Sequence, residues 1–337
     1  MSHTNADADS GFSDITNVEV ADDSSSDAGD SALGEDIANS TISLHSSLYE
    51  GVSENGRRYH KYKEGKYVLP SDDAESDRLD LQHQLFLMTT DYKLSLAPIG
   101  PHVRHALDIG TGTGIWAMDF AQENPDCEVI GVDLSPTQPS FVPTNCQFEI
   151  DDVEEPWTWG HKFDYIHARM MTASFKDWQR FFEQCYQNLT PGGWLEMQDT
   201  DFPVCCIDDT LDPSTALYQW AHMIANATRA VGRDLVAAKY KQFMIDAGLI
   251  DVTEIRFIWP QNTWPVDPKL KELGRWNLVN SLDGLQGYSM ALMTRVLGMR
   301  IEEVEVMLVD VRKDMKNKNI HAYWPIYYVY GRKPENK

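Results

Sequence analysis

Ala106-Leu107-Asp108-Ile109-Gly110-Thr111-Gly112-Thr113-Gly114 is the stretch that decides how this chain folds. From Arg104 to Ile109 it is a short apolar run closed by glycines, which reads as a buried strand. Ile115 to Glu123 behind it keeps helical spacing. A strand, a glycine turn and a helix let a ligand approach the main chain, with the helix N-terminus facing it. A dinucleotide fingerprint spaces its glycines G-x-G-x-x-G, but here position 115 is Ile and the third glycine falls at Gly114. Asp108, two residues ahead of the first glycine, would repel a pyrophosphate. It suits a ligand with a cationic amino group. Nicotinamide-dependent reduction is disfavoured on both counts.

Outward from this turn, short apolar runs alternate with helical segments. Cys127 to Asp133, Gln147 to Ile150 and Phe163 to His167 read as strands, and Asp177 to Leu189 as an amphipathic helix. Pro191-Gly192-Gly193 turns the chain into a fifth strand, Trp194 to Gln198. Alternation at this spacing implies an α/β, doubly wound, mostly parallel sheet. In such sheets ligands sit at the carboxyl edge. Asp133 ends the second strand, 19 residues past Gly114, where a carboxylate can accept both hydroxyls of a ribose. Asp151 and Asp152 follow the third strand, placed to accept from an exocyclic amine such as that of adenine. Each acid alone also reads as a solvent-facing loop carboxylate. Three acids and three glycines at the ends of successive strands are hard to assign to chance.

The series Asp108, Gly110-x-Gly112-x-Gly114, Asp133, Asp151-Asp152 and Leu189-Thr190-Pro191-Gly192-Gly193-Trp194-Leu195 resembles a class I S-adenosylmethionine-dependent methyltransferase. Tyr67 to Asp72 with Glu75, Arg78-Leu79-Asp80 and His83, then Gly114-Ile115-Trp116-Ala117, resemble the fungal LaeA-like and velvet-associated group. The resemblance spans about residues 57–337. It implies a Rossmann-like, seven-stranded sheet with a reversed last hairpin and helical insertions. Val252 to Trp259 and Tyr323 to Tyr330 supply candidates for strands six and seven. Position by position it implies Asp108 at the methionine amino group, and Gly110 and Gly112 along the cofactor backbone, with Gly114 closing the loop. It implies Asp133 at the ribose, Leu134 on the adenine, and Asp152 or Asp151 at the adenine amine. Tyr67 and the helix after Pro70 would close over S-adenosyl-L-methionine. The activity implied is methylation of a secondary metabolite or a protein, linked to regulation of fungal secondary metabolism and development. The alternative is a regulatory, partner-binding subunit of a nuclear or cytosolic complex built on a methyltransferase fold.

A sulfonium methyl is already activated, so alignment and exclusion of water are the protein's main tasks. A base is needed only for an acceptor that enters protonated. His167, at the end of strand four, is the candidate; a hydrogen-bonded core histidine is the competing reading. Arg169 can anchor an acidic substrate or pair with a carboxylate at the sheet edge. Ala168-Arg169-Met170-Met171 stands where enzymes acting on DNA bases carry an Asn/Asp-Pro-Pro-aromatic run, which speaks against that class. Beyond strand five, Asp212-Pro213 starts a helix with Leu217, Trp220, Ala221 and Ile224 spaced to face inward, and two more helical stretches lie between Pro268 and Lys316. Trp220, Trp276, Met290, Met293 and Trp324 are candidate walls of an acceptor pocket, with plain core as the alternative. A helix from Ser281 to Leu297 can also present a partner face.

Before this folded part, Met1 to Gly56 holds twelve acidic residues and no Lys or Arg, with serine runs such as Ser24-Ser25-Ser26. We read 1–56 as a disordered acidic tail. It precedes a 57–337 domain comprising a helical cap (57–100), a cofactor core (101–200) and an acceptor side (201–337). Ser71 or Asp72 can cap a helix carrying Leu79, Leu81, Leu85, Phe86 and Met88. Net charge is −23 over 337 residues, against phosphate-neutralising DNA binding. Five cysteines without a C-x-x-C argue against a disulfide framework or a zinc ribbon, and no metal is expected. No signal peptide and no apolar membrane span is read, so the expected location is cytoplasmic or nuclear.

Overall fold

The computed structural model describes residues 51–60 and 69–335. Most of the acidic tail, residues 1–50, therefore lies outside the described residues, as does Tyr67. Residues 51–56 do not continue a tail. Strand β1 (Gly51–Glu54) pairs antiparallel with β2 (Arg57–His60), so the boundary drawn at 56/57 cuts a hairpin. Its tip is fastened: Glu54 is ion-paired with Arg295, and the Arg57 fork grips both oxygens of Asp72 at 2.6 and 2.8 Å. Charge pattern alone did not reveal these long-range partners.

Asp72 caps α1 (Asp73–Thr89) by accepting from the Glu75 N–H at 3.1 Å. The buried face of α1 is not the apolar stripe expected. It carries Glu75, Arg78, Gln82 and His83 beside Leu85 and Phe86, while Leu79, Leu81 and Met88 are half-buried. Buried polar groups need partners. Arg78 finds Glu75 through two bonds and Asn280 at 2.7 Å.

The sheet then follows: β3 (His105–Ile109), α2 (Ile115–Glu123), β4 (Glu128–Asp133), β5 (Cys146–Ile150), β6 (Phe163–Arg169), α3 (Trp178–Asn188) and β7 (Leu189–Thr200). Strands β5, β4, β3, β6 and β7 lie side by side in that order, all parallel. β3 and β4 are almost wholly buried, as a sheet covered on both faces requires. Alternate residues serve opposite layers: Ala106 joins Trp116, Phe120 and Tyr165, whereas Leu107 and Ile109 join Phe181, Phe182 and Tyr240. Pro191-Gly192-Gly193 falls inside β7 rather than before it. Its pairing with β6 jumps from Phe163–Leu189 to Tyr165–Trp194, which absorbs the irregularity.

After β7 come β8 (Cys205–Cys206), α4 (Ala216–Ala230), α5 (Tyr240–Asp246), β9 (Ile250–Pro260), α6 (Pro268–Arg295), α7 (Ile301–Lys316) and β10 (Ala322–Arg332). β10 runs antiparallel to both β7 and β9, giving the reversed last hairpin. The sheet has eight strands, not seven, because two-residue β8 also pairs with β10. Two residues are too short to show alternation in sequence. Leu217, Trp220, Ala221 and Ile224 all face the core of α4, with α6 and α7 packed around them.

Gly114 opens α2 at φ +81°, and a Cβ there would overlap the Phe148 ring on β5. Gly114→Ala should therefore destabilise the fold by about 1–3 kcal/mol through backbone strain and overpacking. Urea unfolding with an unchanged midpoint would contradict this packing.

Candidate functional site

The glycine turn is held from beneath by one carboxylate. Asp108 is almost fully buried, and both its oxygens are engaged: Oδ1 accepts from His167 Nδ1 at 2.7 Å and Oδ2 from Thr111 Oγ1 at 2.6 Å. The His167 ring stacks on Trp116 with centroids 3.7 Å apart. His167 is fully buried and its Nε2 has no partner. Neither residue is among the described residues that line the two cavities below. In this arrangement both side chains orient the glycine turn, and His167 lies behind Trp116 rather than at the cleft.

Above this pair a cleft opens along the carboxyl edge, lined by Gly110, Gly112, Asp133, Leu134, Asp151, Asp152 and Arg169 among others. Gly110 and Gly112 adopt φ +68° and +56°, which lets the backbone pass close under a ligand. Asp133 accepts from the Gly112 and Ser135 N–H groups, each at 2.9 Å, which holds its carboxylate at the end of β4 facing the cleft. Asp152 is buried and Asp151 exposed at the end of β5. Gly114 does not line the cleft; it packs under Phe148. Among the described residues the charged side chains lining the cleft are Asp133, Asp151, Asp152, Glu154, which faces Arg233, and Arg169. Carboxylates outnumber cations along this described edge, which suits a cationic nucleoside better than a pyrophosphate.

Arg169 is half-buried, its Nη1 and Nη2 both donate to His83 Nδ1 at 3.1 Å, and it lies over the Phe86 ring at 4.8 Å. It does not pair with a sheet-edge carboxylate. Burial lowers its pKa from the ordinary arginine value. His83 Nε2 is 3.0 Å from Asp119 Oδ2. Burial lowers the pKa of His83 despite that carboxylate.

A second cavity adjoins the cleft, and Leu79, Gln82, Met170 and Ser174 line both. Its walls include Trp220, Trp324, Trp259 and Phe202. Trp276, Met290 and Met293 are not among its lining residues; Met290 and Met293 are core. Among the described residues its ionisable lining groups are Arg78, Arg233 and Tyr288, and burial raises the Tyr288 pKa. Sequence reasoning missed Leu79 and Gln82 as lining residues, along with the docking of Asp80 on Thr113 Oγ1 at 2.7 Å. The available signal was a set of polar residues at positions 75, 78, 82 and 83, which share one helix face. Among the described residues no cluster of metal-binding side chains occurs, and no helix is long and apolar enough to cross a membrane.

Comparison with known proteins agrees with this geometry. Residues 81–253 match the family described as "Methyltransferase domain". Methyltransferase pytC of Aspergillus terreus is 40% identical over 301 residues, covering 89% of this chain and 93% of its own. Probable methyltransferase tdiE of Emericella nidulans is 40% identical over 263 residues, covering 78% and 83%. Secondary metabolism regulator LAE1 of Cochliobolus heterostrophus is 38% identical over 290 residues, covering 84% and 94%.

Asp133→Ala should weaken binding of S-adenosylhomocysteine by roughly 1–3 kcal/mol, the loss of hydrogen bonds to a charged acceptor. Isothermal titration on folded variant checks this. Equal affinities would remove Asp133 from the binding site.

Proposed function

This chain belongs to the S-adenosyl-L-methionine-dependent methyltransferase family, and on that footing we propose that it methylates a small, largely apolar metabolite. The observation that carries this reading is the tryptophan-walled cavity that adjoins the donor cleft, sharing Leu79, Gln82, Met170 and Ser174 with it. Ligand pockets of this kind combine apolar walls with a few placed polar groups. Here Trp220, Trp324 and Phe202 form the apolar side. Asn277, Asn280 and Gln82 supply the polar one.

When bound, S-adenosyl-L-methionine supplies an already electrophilic methyl group. Gly110 and Gly112 give the backbone room beneath it, while Asp133, Leu134 and Asp151 or Asp152 hold its nucleoside end. The aromatic walls exclude water and orient the acceptor, the contribution expected of a site that works by alignment. With Arg78, Arg233 and Tyr288 as the ionisable lining groups, the acceptor brings a lone pair that needs no protein base. His167, buried behind Trp116, takes no part in proton transfer.

A second reading draws on the similarity to LAE1, named a secondary metabolism regulator. In it the same fold acts within a nuclear or cytosolic complex that controls fungal secondary metabolism. Val306 and Val309, 70% and 49% exposed on α7, would contribute to a partner face. Under either reading we place the protein in the cytoplasm or nucleus.

Labelled methyl donor, incubated with the protein and a fungal extract split into small-molecule and protein fractions, separates the two acceptor classes. Label in the small-molecule fraction is expected; label confined to protein overturns the metabolite reading. Trp324→Leu should lower transfer to that acceptor by about tenfold or more while leaving S-adenosylhomocysteine affinity within about twofold. A loss of donor affinity matching the loss of transfer would place Trp324 on the wrong side of the site.

A further inference from the structure

The order of groups along the sheet edge assigns a place to each end of the donor. Strands β5, β4, β3 and β6 are consecutive neighbours. Asp151 and Asp152 follow β5, Asp133 ends β4, the glycine turn follows β3, and Arg169 ends β6. A nucleoside lying with its base at β5 and its ribose at β4 crosses the glycine turn and delivers its amino-acid tail to β6. There stands the one guanidinium lining the cleft among the described residues.

We propose that Arg169 anchors the carboxylate of the donor's amino-acid tail, and that His83 and Asp119 are positioning residues that aim it. This rests on the donor reading of the cleft and goes beyond it. A guanidinium only donates, so the two bonds from Arg169 leave His83 Nδ1 without a hydrogen. The ring proton therefore sits on Nε2 and donates to Asp119 Oδ2 at 3.0 Å. Asp119, on α2, thus fixes the tautomer of a histidine on α1, which in turn holds a side chain from β6. This chain of bonds sets the fork in place without neutralising it, because the group in direct contact is an uncharged imidazole. Phe86 covers one face of the guanidinium. Asp108, Asp119 and Asp80 act on it only through longer-range attraction. A half-buried guanidinium in the cleft wall, held by a neutral imidazole and carrying no ion pair, has donors left for a ligand, and a bound carboxylate is the group that would complete it.

The test compares S-adenosylmethionine with decarboxylated S-adenosylmethionine, which keeps the sulfonium and the amine and lacks only the carboxylate. The described cleft lining holds more carboxylates than cations, so a preference for the ligand that carries the carboxylate needs a local cation. Calorimetry on the full chain should give the wild type a preference for S-adenosylmethionine of about tenfold or more. In Arg169→Met that preference should fall below about threefold, with affinity for the decarboxylated ligand unchanged or improved. Asp119→Asn, at a half-exposed position, should give an intermediate loss confined to S-adenosylmethionine. No preference in the wild type, or an undiminished preference in Arg169→Met, overturns the anchor. If Arg169→Met does not fold, Arg169→Lys replaces it and should keep part of the preference; full retention there together with no effect of Asp119→Asn also overturns it. Wild-type protein that binds neither ligand overturns the donor reading itself, and the anchor with it. That outcome is distinguishable from binding without discrimination.

Discussion

A single buried carboxylate ties together the parts of this molecule that have to stay in register. Asp108 accepts from His167 on the neighbouring strand and from Thr111 in the glycine turn, so β3, β6 and the loop between β3 and α2 share one fixed point. Trp116 of α2 lies flat on the imidazole and closes the arrangement from the helix side. In a low-dielectric interior such fully used charges are stiff: any displacement leaves an uncompensated group behind. Glu196 does the same one strand further on. It is completely buried and accepts from the Leu96 and Ala97 N–H groups, from Tyr165 and from Gln198, fixing the segment that leads from α1 into β3. The edge of the sheet is thus a rigid platform before any ligand arrives.

That platform divides the labour of group transfer by chemistry. Acidic loops at β4 and β5 suit the polar, cationic donor. The opposite compartment, built largely by the helices after β7, is faced with indole rings. Where the two meet, the lining comes from α1 and from the residues just past β6. Under the proposed reading, what the protein offers at this junction is shape, dryness and a fixed distance between the two halves.

The glycine turn, the two flanking strands and the acids at Asp133, Asp151 and Asp152 were legible because each depends on local spacing, and strand periodicity places those positions at one edge. Trp220 and Trp324 were legible as inward-facing side chains, and both line the second cavity. What was not legible was which buried polar group faces a ligand. Asp108 and His167 stand beside the site in sequence, and only the structure shows that they are bonded to each other and to Thr111. Conversely, the polar buried face of α1 is invisible to a search for apolar stripes. Its partners are distant in the chain: Asn280 lies 202 residues from Arg78, and Arg169 lies 86 residues from His83. The eighth strand escaped for a simpler reason, since two residues carry no period.

Helix α1 touches both compartments through the same side chains, Leu79 and Gln82. A substitution at either position is therefore felt twice, once by the donor and once by the acceptor. Evolution toward a new acceptor through this helix carries a penalty or a bonus in donor affinity that cannot be tuned separately. Divergence of substrate range is free of that pleiotropy on the walls that line the second cavity alone, the tryptophans among them, where a change of residue alters one guest and leaves the other alone.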